Sequence, residues 1–124
     1  MTQSAQTDLL FLGHILQCIS NVKEDCAGGR SAFDASRTIR DSVVRNLQVL
    51  AESTQRLSDR AKAARPDIPW ANVAGFRNRL VHDYFRIDTD LVWRVVADHL
   101  PELELAAKDL VSRVESLWTD PEAS

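Results

Sequence analysis

Long apolar runs are missing from this chain. No stretch approaches the roughly 18 consecutive apolar residues that suggest a membrane-crossing helix, and residues 1–8 lack the basic and apolar regions of a secretory signal. The expectation is a cytoplasmic protein with no membrane partner. Cysteine is scarce as well. Cys18 and Cys26 are the only two, they sit in a helical pattern, and no further cysteine stands at a metal-site spacing, so reduced thiols are expected in place of a disulfide. His14 and Cys18 share a helix face four residues apart, but two ligands without a third make a poor metal site, and core packing is the simpler role. No metal or other cofactor is expected. A glycine-rich phosphate loop and a nucleophile elbow are both lacking, which argues against an NTPase or a serine hydrolase. Strand alternation, internal repeats and low-complexity runs are absent too.

What remains is ordinary globular composition, with 44% hydrophobic and 27% charged residues, so the chain is expected to fold. Its 124 residues fit a single domain spanning 1–124, which at this size buries about two-thirds of the surface exposed by the unfolded chain. Leu9, Leu12, Ile15, Leu16, Ile19 and Val22 recur at three and four, predicting an amphipathic helix over 8–26 with Thr7 or Asp8 as cap. Ala27-Gly28-Gly29 stops it, because glycine takes the left-handed conformation that ends a helix. A second, long helix is predicted over about 36–60, with Ile39, Val43, Leu47, Leu50 and Leu57 on one stripe and no Gly or Pro to interrupt it. Pro66 and Pro69 bracket a connector, and Pro69 opens the next helix, whose Trp70, Val73, Phe76, Leu80 and Tyr84 are spaced for one buried stripe. Ile87-Asp88-Thr89-Asp90 breaks that pattern and caps a last helical segment over 91–118, which Pro101 kinks or splits near Leu100. The fold class is all-α, an antiparallel bundle of four to five helices.

Net charge is −3, yet its distribution is uneven. From residue 30 to residue 65, eight basic residues (Arg30, Arg37, Arg40, Arg45, Arg56, Arg60, Lys62, Arg65) stand against four acids (Asp34, Asp41, Glu52, Asp59). Guanidinium groups suit planar, bidentate phosphate contacts, although a solvated helix face explains the same count. The acidic run Glu102, Glu104, Asp109 and Glu115 reads as a solvated face, and His99 beside Pro101 as a helix-end residue.

The chemistry concentrates in Arg77-Asn78-Arg79-Leu80-Val81-His82-Asp83-Tyr84. Imidazole titrates near pH 6.5, so His82 can give or take a proton, and Arg77 can stabilise negative charge. Attack by the 2′-OH of RNA on its own phosphate needs those two functions at minimum and no metal. On an ideal helix, however, Arg77 and His82 stand about 140° apart, while Asn78 shares a face with His82 and can orient its imidazole. A site using both therefore requires a long reach by Arg77, a frayed helix end, or a second copy of the chain. Taken alone, a His beside an Arg on a helix is more often a surface or satisfied structural residue than a catalytic one.

This string resembles the signature of the HepT-like toxins of the HEPN superfamily: Arg, four residues, His, one residue, Tyr. The following Phe85-Arg86-Ile87-Asp88, Val92-Trp93 and Leu100-Pro101 are similar to that family's continuation, and residues 44–50 with Glu52 to its second-helix segment. Ala51 stands where the family commonly has Gly. The resemblance implies an HEPN-like helical homodimer whose two motif helices meet at a cleft. It implies a metal-independent endoribonuclease toxin with Arg77 and His82 catalytic. In such an enzyme Asn78 is expected to support His82 by its spacing, and Arg40, Arg45 and Arg79 to hold the RNA backbone. Single strands and loops, tRNA ends among them, are the RNA class that sequence-selective recognition generally targets. It further implies an antitoxin partner, a minimal nucleotidyltransferase of the MntA type, that transfers AMP from ATP to Tyr84. Tyr84 as a core residue with its hydroxyl at the rim is compatible with that role. The alternative reading is a non-catalytic helical partner or substrate-presenting subunit of a nucleotidyltransferase.

Overall fold

Leu12, Ile15, Ile19 and Val22 are sealed from solvent along one stripe of the first helix, as their spacing requires. The computed structural model describes residues 3–82 and 88–117, and of residues 77, 80–82 and 117 the backbone alone. Its elements are α1 (Gln3–Asp25), α2 (Gly29–Ala35), α3 (Arg37–Gln55), α4 (Asp59–Ala64), α5 (Trp70–His82), α6 (Thr89–Arg94), a π-helical turn (Val95–His99) and α7 (Leu100–Leu117). Among the described residues there is no strand, and no helix is long and apolar enough to cross a membrane. The protein is an all-α bundle.

Helix α1 is the central element, packing on α3 along one side and α7 along another. Asn21 donates to Asn46, and Ser42 donates to Asp25, at one end of the α1–α3 pair, while Asp8 meets Ser58 at the other, so these helices run antiparallel. Lys23 pairs with Glu104 near the start of α7, and Arg65, just after α4, pairs with Asp109 further along it; α7 is antiparallel to α1 as well. Leu47 and Leu50 of α3 and Ala106, Leu110 and Val114 of α7 close the core around α1. Each such aliphatic side chain contributes about 1.5–3 kcal/mol by leaving water. The two alanines at 106 and 107, both fully buried, let the α7 backbone come close to its neighbours.

Four expectations about the chain's course need correction. Helix α1 starts at Gln3, and Asp8, expected as a cap, lies inside it at 1% exposure. Its carboxylate caps another element: Oδ1 accepts the Ser58 N–H (2.8 Å) and Oδ2 the Ser58 hydroxyl (2.6 Å), while Ser58 Oγ accepts the Ala61 N–H (3.1 Å) as the N-cap of α4. That arrangement is also why the long second helix ends at Gln55. Ser58 takes an extended backbone, and α4 begins anew. Helix α2, between the glycines and Ser36, is too short to show a period, and Ser36 caps α3 by accepting the Ile39 N–H. The Gly28–Gly29 stop holds as expected: Gly29 has φ +84°, and a Cβ on Gly28 would meet that of Ala32 at 2.9 Å.

The last segment is not split at Pro101: α6, the π-helical turn and α7 follow one another without a break. Pro101 has no N–H and would crowd the carbonyl four residues back in a regular helix. The π-helical turn before it widens the spiral, with the Leu100 N–H reaching the Val95 carbonyl five residues away. Asp88 caps α6, its side chain accepting the Leu91 N–H, as the sequence implied.

Asp8→Ala removes the acceptor for two Ser58 donors in a buried place and is expected to cost about 1–3 kcal/mol. Urea unfolding checks this, and Ser58→Ala should cost clearly less in the Asp8→Ala background than alone. Additive losses would show that the two residues do not act as one unit.

Candidate active site

Three contacts position the motif helix. The Pro69 carbonyl accepts the N–H groups of Asn72 (2.9 Å) and Val73 (3.0 Å), so Pro69 stands just outside the first turn of α5. The Trp70 indole N–H then donates to the carbonyls of Lys62 and Arg65, 3.0 Å each, tying the start of α5 to the end of α4. Val73 and Phe76 are half-buried against the core, chiefly toward α3. The expected stripe is thus present for Trp70, Val73 and Phe76.

The opposite side of α5 is uncovered among the described residues. Ala71 and Asn78 are exposed, and a Cβ placed on Gly75 would have nothing within 4 Å. At 100° per residue, positions 71, 75, 78 and 82 fall within about 60° of each other on this outer side. His82 lies within α5, at the edge of the described residues, so its backbone is helical. The side chains of Arg77 and His82 lie outside what is described, and Tyr84 lies outside the described residues. Asn78 and Arg79 are both exposed.

Beside α5, on the side turned toward the π-helical turn, a cavity of 240 Å³ opens between α3, α5 and the α6–α7 segment. Its floor includes Leu47, Leu50, Phe76 and Leu100, and exposed Asn72, Arg79, His99 and Glu102 stand at its edge. Motif reasoning had no means of joining these residues, because they come from three distant stretches of chain. The signal that was available is Pro101 between His99 and Glu102, which forces the local widening.

The basic stretch is largely consumed by the fold. Arg30 pairs with Asp34 and Asp90, Arg37 with Asp41, Arg56 with Glu52, and Arg65 with Asp67 and Asp109. Arg40 is half-buried and donates to the carbonyls of Phe33 and Asp34, closing the end of α2. Arg45 is exposed and makes no ion pair among the described residues. The acidic run is likewise engaged in part: Glu104 pairs with Lys23 and Lys108, and Asp109 with Arg65 and Arg113. His14 is exposed, its ring edge-on to Phe11, and among the described residues no group of three metal-ligating side chains occurs. Both cysteines are free thiols, and burial pushes Cys18 above its ordinary range.

The return from the motif is held by a latch. Arg30 of α2 bonds to Asp90 in the first turn of α6 and lies 6.0 Å from the Trp93 ring, while Phe33 packs on the same indole at 5.3 Å. The hydrogen bond from Arg30 holds the Asp90 carboxyl below the usual carboxylate range. A depressed folded pKa contributes stability above the unfolded value, near 3.9, and that contribution is lost as pH falls through the lower folded value.

The chain matches the family model Ribonuclease HepT-like over residues 15–110. It belongs to the HepT-like ribonuclease family. The protein named "Putative RNase TTE0752" from Caldanaerobacter subterraneus subsp. tengcongensis is 27% identical over 104 residues, 83% of this chain and 93% of its own. "Putative RNase MJ1380" from Methanocaldococcus jannaschii is 30% identical over 95 residues, covering 76% and 87%. "Probable ribonuclease HepT" from Thermococcus cleftensis is 32% identical over 63 residues, 51% of this chain and 57% of its own. No solved structure matches the chain. The HepT-like family model spans the motif helix, the groove beside it and the Arg30–Asp90 latch.

Asp90→Ala should lower the melting temperature at neutral pH, and the gap to the unsubstituted protein should close as pH falls below about 4. A gap independent of pH would show that the ionised pair is not what holds α6.

Proposed function

We propose that this HepT-like chain is the toxin of a toxin–antitoxin pair, a homodimeric, metal-independent endoribonuclease whose cleft forms where two copies of α5 meet. The observation that carries this reading is the outer side of α5. Among the described residues Ala71 and Asn78 are exposed and a Cβ on Gly75 would meet nothing within 4 Å, and small residues there permit close approach by a second helix. A dimer also answers the 140° between Arg77 and His82, which one straight helix cannot bring to a common point.

In this reading the 2′-OH attacks the neighbouring phosphorus and the bond to the 5′-oxygen breaks, giving a 2′,3′-cyclic phosphate and a free 5′-OH. His82 accepts the proton from the 2′-OH or delivers one to the leaving oxygen, and a two-copy cleft holds a second imidazole for the other transfer. Arg77 stabilises the phosphorane charge. Asn78 orients His82 at its four-residue spacing, and exposed Arg45 and Arg79 hold the RNA backbone, with Arg40 kept by the α2 carbonyls in a structural role. Control comes from a nucleotidyltransferase antitoxin. The Tyr84 phenol attacks the α-phosphate of ATP and releases pyrophosphate, and the AMP so attached adds a negative charge and a bulky base beside the cleft. Tyr84 is the chain's only tyrosine, so the modification is readable from intact mass alone.

Purified protein incubated with total RNA in EDTA should leave cyclic phosphate ends, and His82→Ala should lower the rate about 10²- to 10⁴-fold. No cleavage by folded, dimeric protein free of AMP would favour the nucleotidyltransferase-partner reading. Gly75→Leu should keep or slightly raise the stability of the isolated chain, since leucine is the better helix former by roughly 0.5–0.8 kcal/mol. The same variant should be monomeric and inactive, as read by sedimentation and cleavage; an active Gly75→Leu dimer would contradict the α5–α5 interface.

A further inference from the structure

We propose that the cavity beside α5 receives one unpaired base of the RNA substrate and sets the preference for the nucleotide next to the cut. This rests on the ribonuclease reading above. Arg79 links the two places. It stands three residues from both Phe76, which helps to line the cavity, and His82, further along the motif helix, so in projection it lies about 60° from each. Chain running from the His82 position toward the cavity therefore passes Arg79 on that side of α5.

The character of the cavity fits a base better than a phosphate or a helix. Its floor is apolar, with the Phe76 ring and Leu100 available to a flat aromatic face. Its edge carries a mixed set: Arg79 donates, Glu102 accepts, and Asn72 and His99 can do either. Inside the cavity the Glu102 carboxylate would repel a phosphate, which leaves Arg79 to the backbone at the rim, whereas a carboxylate accepts well from an exocyclic amino group. At 240 Å³ the cavity is below the roughly 300–1,000 Å³ of sites that bury drug-sized ligands, and far short of a groove for a partner helix. Single-stranded RNA is read in this manner, by splaying a base onto an aromatic or guanidinium plane and bonding its edge. The π-helical turn that accommodates Pro101 also shapes this site. It extends from Val95 to His99, with Val95 and His99 both lining the cavity, and such turns recur at functional sites.

The test uses full-chain His82→Ala protein with labelled leucine methyls, titrated with a short single-stranded RNA and with the same RNA made abasic at each position in turn. Leu47 and Leu100 methyl signals should shift with the intact RNA, and removing one particular base should abolish the shift and weaken binding about tenfold. No shift at saturating RNA, or a shift that survives every abasic substitution, overturns the proposal. In the catalytically intact protein, Glu102→Gln and Asn72→Ala should each alter the base preference beside the cut about tenfold, read by sequencing fragment ends, with exposed Glu115→Gln as the control. Cleavage with unchanged preference in both variants overturns it as well. If the base-dependent methyl shift is present but no variant cuts RNA, the base site stands and the ribonuclease reading fails.

Discussion

The motif helix is held from one side only, and the rest of the architecture follows from that constraint. Helix α5 rests on α3 through Val73 and Phe76 and is pinned at its start by the Trp70 indole on the last carbonyls of α4. Nothing among the described residues covers Ala71, Gly75 or Asn78. A helix this exposed is stabilised by tertiary packing more than by its own propensity, since thirteen residues with a glycine inside make a marginal helix in water. The half-burial is therefore sufficient to order α5 while leaving its outer side free for another molecule.

The supports of α5 are themselves built from polar contacts that cross between elements. Asp8, buried in α1, fixes Ser58 and so starts α4; the end of α4 supplies the carbonyls that Trp70 binds. A second line runs from Arg30 to Asp90 and Trp93, fixing the start of α6, and the π-helical turn then carries His99 to the edge of the groove beside α5. Position in the site thus depends on a short series of hydrogen bonds, each replaceable and each separately measurable.

Much of the bundle was legible in the sequence. The periods of α1 and α3, the Gly28–Gly29 stop, the Asp88 cap and the disturbance at Pro101 all act through neighbours close along the chain. What was not legible acts across it. The break after Gln55 has no glycine or proline to announce it, because Ser58 is turned by a carboxylate fifty residues away. Asp8 looked like a cap by position and is one, but for a different helix. The eight basic residues of the arginine-rich stretch could be counted, yet their pairing with Asp90 and Asp109 could not, so the free positive surface is smaller than the count suggests. The motif from Arg77 to Tyr84 was legible through its likeness to the HepT-like family, and the family match bears that likeness out. The groove was hidden, since Leu47, Arg79 and His99 share no local pattern.

The central claim is that two copies of α5 make one working site. Its most direct test is the specific activity of the unsubstituted protein across a dilution series, with the fraction of dimer measured in the same samples by mass photometry. The account predicts that activity per chain falls in step with the dimer fraction and is absent in the monomer. Undiminished activity per chain in fully monomeric samples would contradict it.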